Sequence, residues 1–242
     1  MFDFHKDISV IQNFICTNDA RLKMIENNLP KMAELFGESK FYVTYNSHEN
    51  LQKIQQLYAD NIRRLSFTHS ESSDWAVDTL AMLKDVKTPY VMYVCEDFDY
   101  YGTRQEWDDM LYESLSENNS DFVMLAKIEK YSRPEWHHYY SGAGKHSYFY
   151  SSKNSPSKVL SIDAIYRTEF LIERLEEYSS LYSHHLPNNY ETYYKHDNNL
   201  RRFDIKCSIP KDVLLFSYHP EDYSEVVDRS FVDGPLGRKI NG

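Results

Sequence analysis

Two hydrophobic periods alternate along the first half of the chain. Ile8 to Cys16 is an apolar run with β-branched residues, which predicts a buried strand. Ala20 to Phe36 then places Leu22, Ile25, Leu29, Met32 and Phe36 on one face of a helix. The same switch recurs. A second strand is predicted over Phe41 to Tyr45, and a helix over Glu49 to Tyr58 with Leu51, Ile54 and Leu57 aligned. A third strand follows over Ile62 to Phe67, and a third helix over Ser73 to Val86, with Ser72 or Ser73 as its cap before Trp75. Pro89 to Cys95 has no polar alternation, as expected of a central parallel strand buried on both faces. A fourth helix over Thr103 to Leu115 carries Trp107, Met110, Leu111 and Leu115 on one side, and a further strand covers Asp121 to Lys127. Strands alternating with helices predict an α/β fold with a mostly parallel sheet flanked by helices.

After about Glu129 the pattern changes. Tyr131 to Ser157 is polar, aromatic and rich in Ser, Gly and Asn, with a hairpin expected around Ser141-Gly142-Ala143-Gly144. A strand over Val159 to Tyr166 and a helix over Thr168 to Tyr182 follow. A short helix is expected from Asn189 and a last strand over Val213 to Tyr218. Residues 1–242 are therefore expected to form one domain with two halves, 1–129 and an elaborated 130–242.

Composition narrows the function. The net charge is −10, and no basic cluster is longer than Arg63-Arg64 or Arg201-Arg202, so nucleic acid is not an expected partner. An acidic protein can still hold an anionic nucleotide through a metal ion. The 21 tyrosines suit packing, and also the walls of a polar cleft. Cys16, Cys95 and Cys207 are widely spaced and fit core positions in a reducing compartment. The N-terminus has no signal-peptide core, and no apolar run reaches the ~18 residues of a membrane span. A cytoplasmic protein is expected, one that visits a membrane surface if its acceptor is membrane-bound.

Ligands in open α/β sheets bind outside the carboxyl ends of the strands. At the end of the Pro89 to Cys95 strand stands Glu96-Asp97-Phe98-Asp99, three carboxylates in four residues. They would repel at a buried edge unless a cation sat among them, and hard oxygen donors suit Mg²⁺ or Mn²⁺; a solvated acidic turn is the alternative. No Gly-x-Gly-x-x-Gly and no glycine-rich phosphate loop occurs.

A buried strand ending in Asp-x-Asp after three β/α units resembles the metal-binding motif of GT-A glycosyltransferases, especially family 2. Asp97-Phe98-Asp99 has that spacing, and Glu96 extends it. Cys16-Thr17-Asn18-Asp19-Ala20-Arg21 resembles the family's opening loop, which cradles the nucleotide, although helix capping alone would also explain Thr17, Asn18 and Asp19. Asn46-Ser47 stands where the family places a base-contacting residue.

The resemblance implies a GT-A, Rossmann-like fold with an acceptor-side C-terminal lobe. It implies Thr17, Asn18, Arg21, Asn46, Glu96 and Asp97 at the nucleotide, and Asp97, Asp99 and a C-terminal His219 at Mn²⁺ or Mg²⁺. Glu191 is its first choice as catalytic base, with Asp163 and Asp197 as alternatives; a solvated helix face is the other reading of Glu191. His137-His138 could line the acceptor cleft. The implied activity is transfer of a sugar, with inversion, from a UDP- or other nucleotide-sugar to a hydroxyl acceptor in surface glycan synthesis. A nucleotidyltransferase acting on sugar phosphates and an inactive module that binds a glycan or a partner are the rivals.

Overall fold

The computed structural model describes residues 3–16, 18–71, 75–96, 98–125, 138–155, 164–182, 199–212 and 214–217. After a one-turn helix α1 (Phe4–Asp7), the chain runs β1 (Ile8–Phe14), α2 (Asp19–Phe36), β2 (Lys40–Tyr45), α3 (Leu51–Asn61), β3 (Leu65–His69), α4 (Trp75–Leu83) and β4 (Tyr90–Val94). Next come β5 (Phe98–Tyr100), α5 (Arg104–Leu111), a π-helical turn at Tyr112–Glu117, β6 (Phe122–Met124) and the hairpin β7 (Gly142–Ala143) and β8 (Ser147–Ser151). β9 (Ala164–Arg167), α6 (Thr168–Tyr182), a helical turn at Asn199–Arg202, β10 (Lys206–Pro210) and β11 (Leu215–Ser217) complete the described chain.

Nine of these strands form one sheet in the order β3-β2-β1-β4-β9-β6-β10-β8-β7. The half from β3 to β4 is parallel throughout. All seven positions of β1 and all five of β4 are buried, because neither face of these strands meets water. Alternate residues enter two cores. Val10, Phe14, Phe41, Met92 and Val123 pack with Leu22, Ile25, Leu29 and Met32 of α2, Tyr58 of α3 and Trp107 of α5. Ile11, Tyr42, Val91, Tyr93 and Tyr166 pack on the opposite face with Met82 of α4 and Leu171 and Leu175 of α6. The result is helices on both faces of a mixed sheet whose center is mostly parallel.

The structure corrects several expectations. β4 is parallel to β1 but antiparallel to β9 on its other side, and β9 also runs against β6. The third strand begins at Leu65, not Ile62, because the Ile62 N–H donates to the Tyr58 carbonyl and closes α3. The last strand does not join the main sheet. β11 pairs antiparallel with β5, a strand the sequence did not signal. β10 was not expected either; it lies between β6 and β8. The helix expected from Asn189 falls outside the described residues. Among the described residues no helix is long and apolar enough to cross a membrane.

Candidate functional site

The chain lays β2 and β3 on one side of β1, then places β4 on the other. Strand order therefore reverses between β1 and β4, and a crevice opens at their carboxyl ends, after Phe14 and Val94. The 18-residue helix α2 starts at this crevice. Its N-cap is Asn18, whose Oδ1 accepts the backbone N–H of Arg21 at 2.9 Å. That bond fixes the first turn and directs the helix's free N–H groups to the opening.

Arg21 and Glu96 meet across the crevice. The guanidinium Nη1 donates to Glu96 Oε1, joining the first turn of α2 to the residue just past β4. The Glu96 side chain is 1% exposed and the Arg21 side chain 25% exposed, so the carboxylate is the inner member of the pair. Under Glu96 lies a cavity of about 10 Å³ lined by Gln12, Asn28, Met32, Tyr58, Cys95 and Tyr100 among others. Tyr58 closes it by donating to Gln12 Oε1 at 2.6 Å. Burial pushes the Tyr58 hydroxyl well above its usual range, and the negative Glu96 adds to the effect. Burial also pushes the Cys16 thiol up, with Glu96 again contributing. All three cysteines are buried, as packing residues are.

Asp99 is buried at the middle of β5, with the Tyr101 hydroxyl 3.5 Å from its Oδ2. β11 runs alongside, Phe216 opposite Asp99 and Ser217 opposite Phe98. β11 ends at Ser217, two residues before His219 in the sequence, and lies beside Asp99. Asp97, Thr17, Asp163, Glu191, Asp197, His137 and His219 themselves lie outside the described residues. His138 is exposed, its ring centroid 3.9 Å from that of Tyr139 and tilted 40° to it.

Asn46 stands just past the carboxyl end of β2, on the crevice edge, with its amide nitrogen engaged. Its Nδ2 donates to Asp78 Oδ2 of α4 at 2.5 Å, and Ser70 Oγ donates to Asp78 Oδ1 at 2.8 Å. One buried carboxylate thus ties the ends of β2 and β3 to the helix behind them. Beneath β1 a second buried network does the same. Asn13 Nδ2 donates to Thr79 Oγ1 at 2.9 Å, Tyr93 OH donates to Asn13 Oδ1 at 2.8 Å, and the Thr79 and Tyr93 hydroxyls are 3.1 Å apart. A satisfied buried network such as this second one holds a site rigid. The sequence carried one signal for them, the polar pair Gln12-Asn13 inside an otherwise apolar strand.

The donor chemistry at the end of β4 fits a hard divalent cation. Position 97 is bracketed by buried acidic residues at 96 and 99, and carboxylate oxygens are the ligands Mg²⁺ and Mn²⁺ take. Among the described residues no three His, Cys, Asp or Glu side chains converge as a complete cluster. Of the two described carboxylates in this run, Glu96 is engaged by Arg21 and Asp99 lies beside the Tyr101 hydroxyl.

The sheet order, with its reversal between β1 and β4 and helices on both faces, is that of the GT-A fold. Solved structures of that layout overlay the chain over most of its length. TarS from S. aureus, residues 1–349, matches at 18% identity and a TM-score of 0.60, covering 91% of this chain and 63% of its own. The same protein in complex with UDP-GlcNAc matches at 16% identity and a TM-score of 0.56. The chain thus spans less than two thirds of TarS 1–349. A 4-diphosphocytidyl-2C-methyl-D-erythritol synthase from Anaerococcus prevotii matches at 9% identity and a TM-score of 0.52, covering 91% of this chain and 94% of its own. No family model and no curated protein matches the sequence.

Proposed function

We propose that this chain is a metal-dependent glycosyltransferase that moves a sugar from a UDP-sugar to a hydroxyl acceptor, with inversion, in the synthesis of a surface glycan. The observation that carries the reading is the pairing of a fixed cation, Arg21, with an acidic edge, Glu96 to Asp99, where the parallel half of the sheet reverses its strand order between β1 and β4. Uridine as the base is supported by the UDP and UDP-GlcNAc bound to TarS, whose fold this chain shares.

In this reading residues 1–129 hold the donor and 130–242 face the acceptor. The α2 N-terminus and Arg21 receive the diphosphate, with Thr17 and Asn18 in the cradling loop and Asn46 near the base. Asp97 and Asp99 would hold Mn²⁺ or Mg²⁺, with His219, two residues beyond β11 in the sequence, as a further contact. When bound, the cation supplies positive charge that stabilises the departing diphosphate. Glu191 takes the proton from the acceptor hydroxyl as its oxygen bonds to the anomeric carbon. The bond from that carbon to the diphosphate breaks, and the nucleoside diphosphate leaves with the electron pair. Asp163 and Asp197 are the alternative bases. The site lies on a cytoplasmic protein that would meet lipid-linked or polymeric acceptors at a membrane surface.

The Anaerococcus synthase overlay favours a second reading, transfer of a nucleotidyl group with release of pyrophosphate. Against it, the loop from Cys16 to Arg21 contains no glycine with which backbone could wrap a triphosphate. Titration calorimetry with UDP, GDP, CDP and the triphosphates, each with and without Mn²⁺, tests the assignment. Metal-dependent binding of UDP supports it. Binding of a triphosphate alone would transfer the chain to the nucleotidyltransferases, and binding of none would leave a glycan- or partner-binding module.

A further inference from the structure

Glu96 is the first acid of a run that the sequence assigns as a whole to nucleotide and metal, yet its surroundings set it apart. We propose that Glu96 is a positioning residue: it holds Arg21 as a permanent cation against the diphosphate and is not itself a ligand of the divalent ion. The inference rests on the nucleotide-sugar reading and assigns roles within that site.

Three observations carry it. Glu96 Oε1 accepts from Arg21 Nη1, and the Glu96 side chain is 1% exposed. The inward side offers only the cavity of about 10 Å³ bounded by Gln12, Tyr58, Asn28 and Tyr100. One water needs at least that much space, and Mg²⁺ or Mn²⁺ with several retained waters needs far more. Among the described residues, a carboxylate 1% exposed beside so small a cavity has no room for a hydrated ion. Arg21, in turn, is fixed at both ends. Its backbone N–H is held by Asn18 Oδ1 at 2.9 Å and its guanidinium by Glu96.

The Arg21 guanidinium is ion-paired with Glu96, and the Arg21 side chain is 25% exposed. A guanidinium carries five N–H donors in a planar fork, so one edge can grip Glu96 while the rest face an anion. A buried carboxylate behind a partly exposed arginine is therefore an orienting device. It stops the long side chain from folding into solvent and removes the entropy that an ordered phosphate contact would otherwise lose. The diphosphate then meets two separate positive charges, a fixed one from α2 and a metal-borne one from the Asp97 and Asp99 side.

The test is calorimetric binding of UDP and of uridine to wild type, Arg21→Gln, Arg21→Lys, Glu96→Gln and the double variant Arg21→Gln/Glu96→Gln, without and with Mn²⁺. Mn²⁺ affinity is followed separately by electron paramagnetic resonance. Arg21→Gln is expected to weaken UDP about tenfold without metal while leaving uridine unchanged, as loss of a charge-assisted phosphate contact requires. Arg21→Lys should recover only part of that loss, because it restores charge without the fork. Glu96→Gln should weaken UDP, the double variant should be no worse than Arg21→Gln, and Mn²⁺ affinity should stay at the wild-type value. Additive losses in the double variant, equal weakening of UDP and uridine by Arg21→Gln, or loss of Mn²⁺ binding in Glu96→Gln would each overturn the assignment. If Glu96→Gln fails to melt cooperatively, the Arg21 variants decide alone, with unchanged UDP binding in Arg21→Gln as the contrary result. Wild type that binds no UDP under any condition would instead remove the nucleotide-sugar reading itself.

Discussion

Gly144 lies so close to the Glu113 carboxylate that a Cβ built on it would overlap the carboxyl carbon and both oxygens. The reason is the turn between β7 and β8. Backbone N–H groups of Lys145, His146 and Ser147 all donate to Glu113, at 2.6, 2.9 and 2.7 Å. Glu113 projects from the π-helical turn that follows α5, and next to it Ser114 Oγ lies 2.9 Å from Ser147 Oγ. One buried carboxylate thus fastens the outermost hairpin of the sheet to a helix. Gly144→Ala and Glu113→Ala are each expected to lower unfolding stability by on the order of 3 kcal/mol, through steric overlap in the first and unsatisfied buried N–H groups in the second. Urea denaturation reads this directly. Either variant within about 0.5 kcal/mol of wild type would show that the carboxylate does not hold the turn.

The acidic edge gives a test of the metal reading that leaves the fold in place. Asp99 lies in the middle of β5, and the β5–β11 ladder is built from backbone groups that a substitution does not remove. Asp99→Ala is expected to abolish the Mn²⁺-dependent rise in melting temperature produced by UDP, while the ligand-free melting transition stays cooperative. The comparison is made by differential scanning fluorimetry with UDP and Mn²⁺ each omitted in turn. Retention of the full metal-dependent shift would remove Asp99 from the proposed cation site.

Much of this architecture was legible because burial on two faces leaves a plain trace. Ile8 to Cys16 and Pro89 to Cys95 declared the two strands that flank the crevice, and Thr168 to Tyr182 declared α6 with both its ends. Other features left no local trace. Strand direction is set by tertiary pairing, so nothing in Ala164–Arg167 announced that β9 would run against both neighbours. β10 reads Lys-Cys-Ser-Ile-Pro, short and half polar, and becomes a strand because Cys207 and Ile209 fill a core that other segments build. Ile62 looked like the first residue of a strand because it is apolar, yet it is buried as the cap of α3. At the site, the acidic run was visible as a pattern. The partner of Glu96 stands 75 residues away on α2, and no spacing rule reports a contact of that range.

The start of α5 links stability to pH. Thr103 is its N-cap and forms a reciprocal capping box with Glu106, whose carboxylate accepts the Thr103 backbone N–H at 2.6 Å. Those bonds, backbone first and then hydroxyl, hold the Glu106 carboxyl below its usual 4.5. A carboxylate with a lowered value contributes stability that is fully present above its unfolded value and is lost as pH falls through the folded one. Thr103→Ala is therefore expected to cost about 1 kcal/mol near neutral pH, with the gap to wild type narrowing as pH drops below about 4.5. Paired urea titrations from pH 7 downward measure that gap. A constant difference across the range would separate the cap from Glu106.

The base assignment is the part of the mechanism that needs a kinetic test, because Glu191 is offered on pattern alone. With UDP-GlcNAc as donor, even without a known acceptor, water can serve as a slow one, and the release of UDP can be followed by a coupled assay. General-base assistance contributes about 10²–10⁴-fold to such steps, so Glu191→Gln is expected to cut turnover by roughly that factor. Donor affinity should be unchanged, since the residue is proposed to meet the attacking hydroxyl and not the nucleotide. Arg21→Gln should show the reverse pattern, with weakened UDP binding as its leading defect. Asp163→Asn and Asp197→Asn, made in parallel, distinguish the alternatives: the base is the carboxylate whose removal lowers turnover and leaves UDP binding intact. Unchanged turnover in Glu191→Gln would exclude it from that role. Unchanged turnover in all three would count against a side-chain base among these candidates, and with it against the inverting route proposed here.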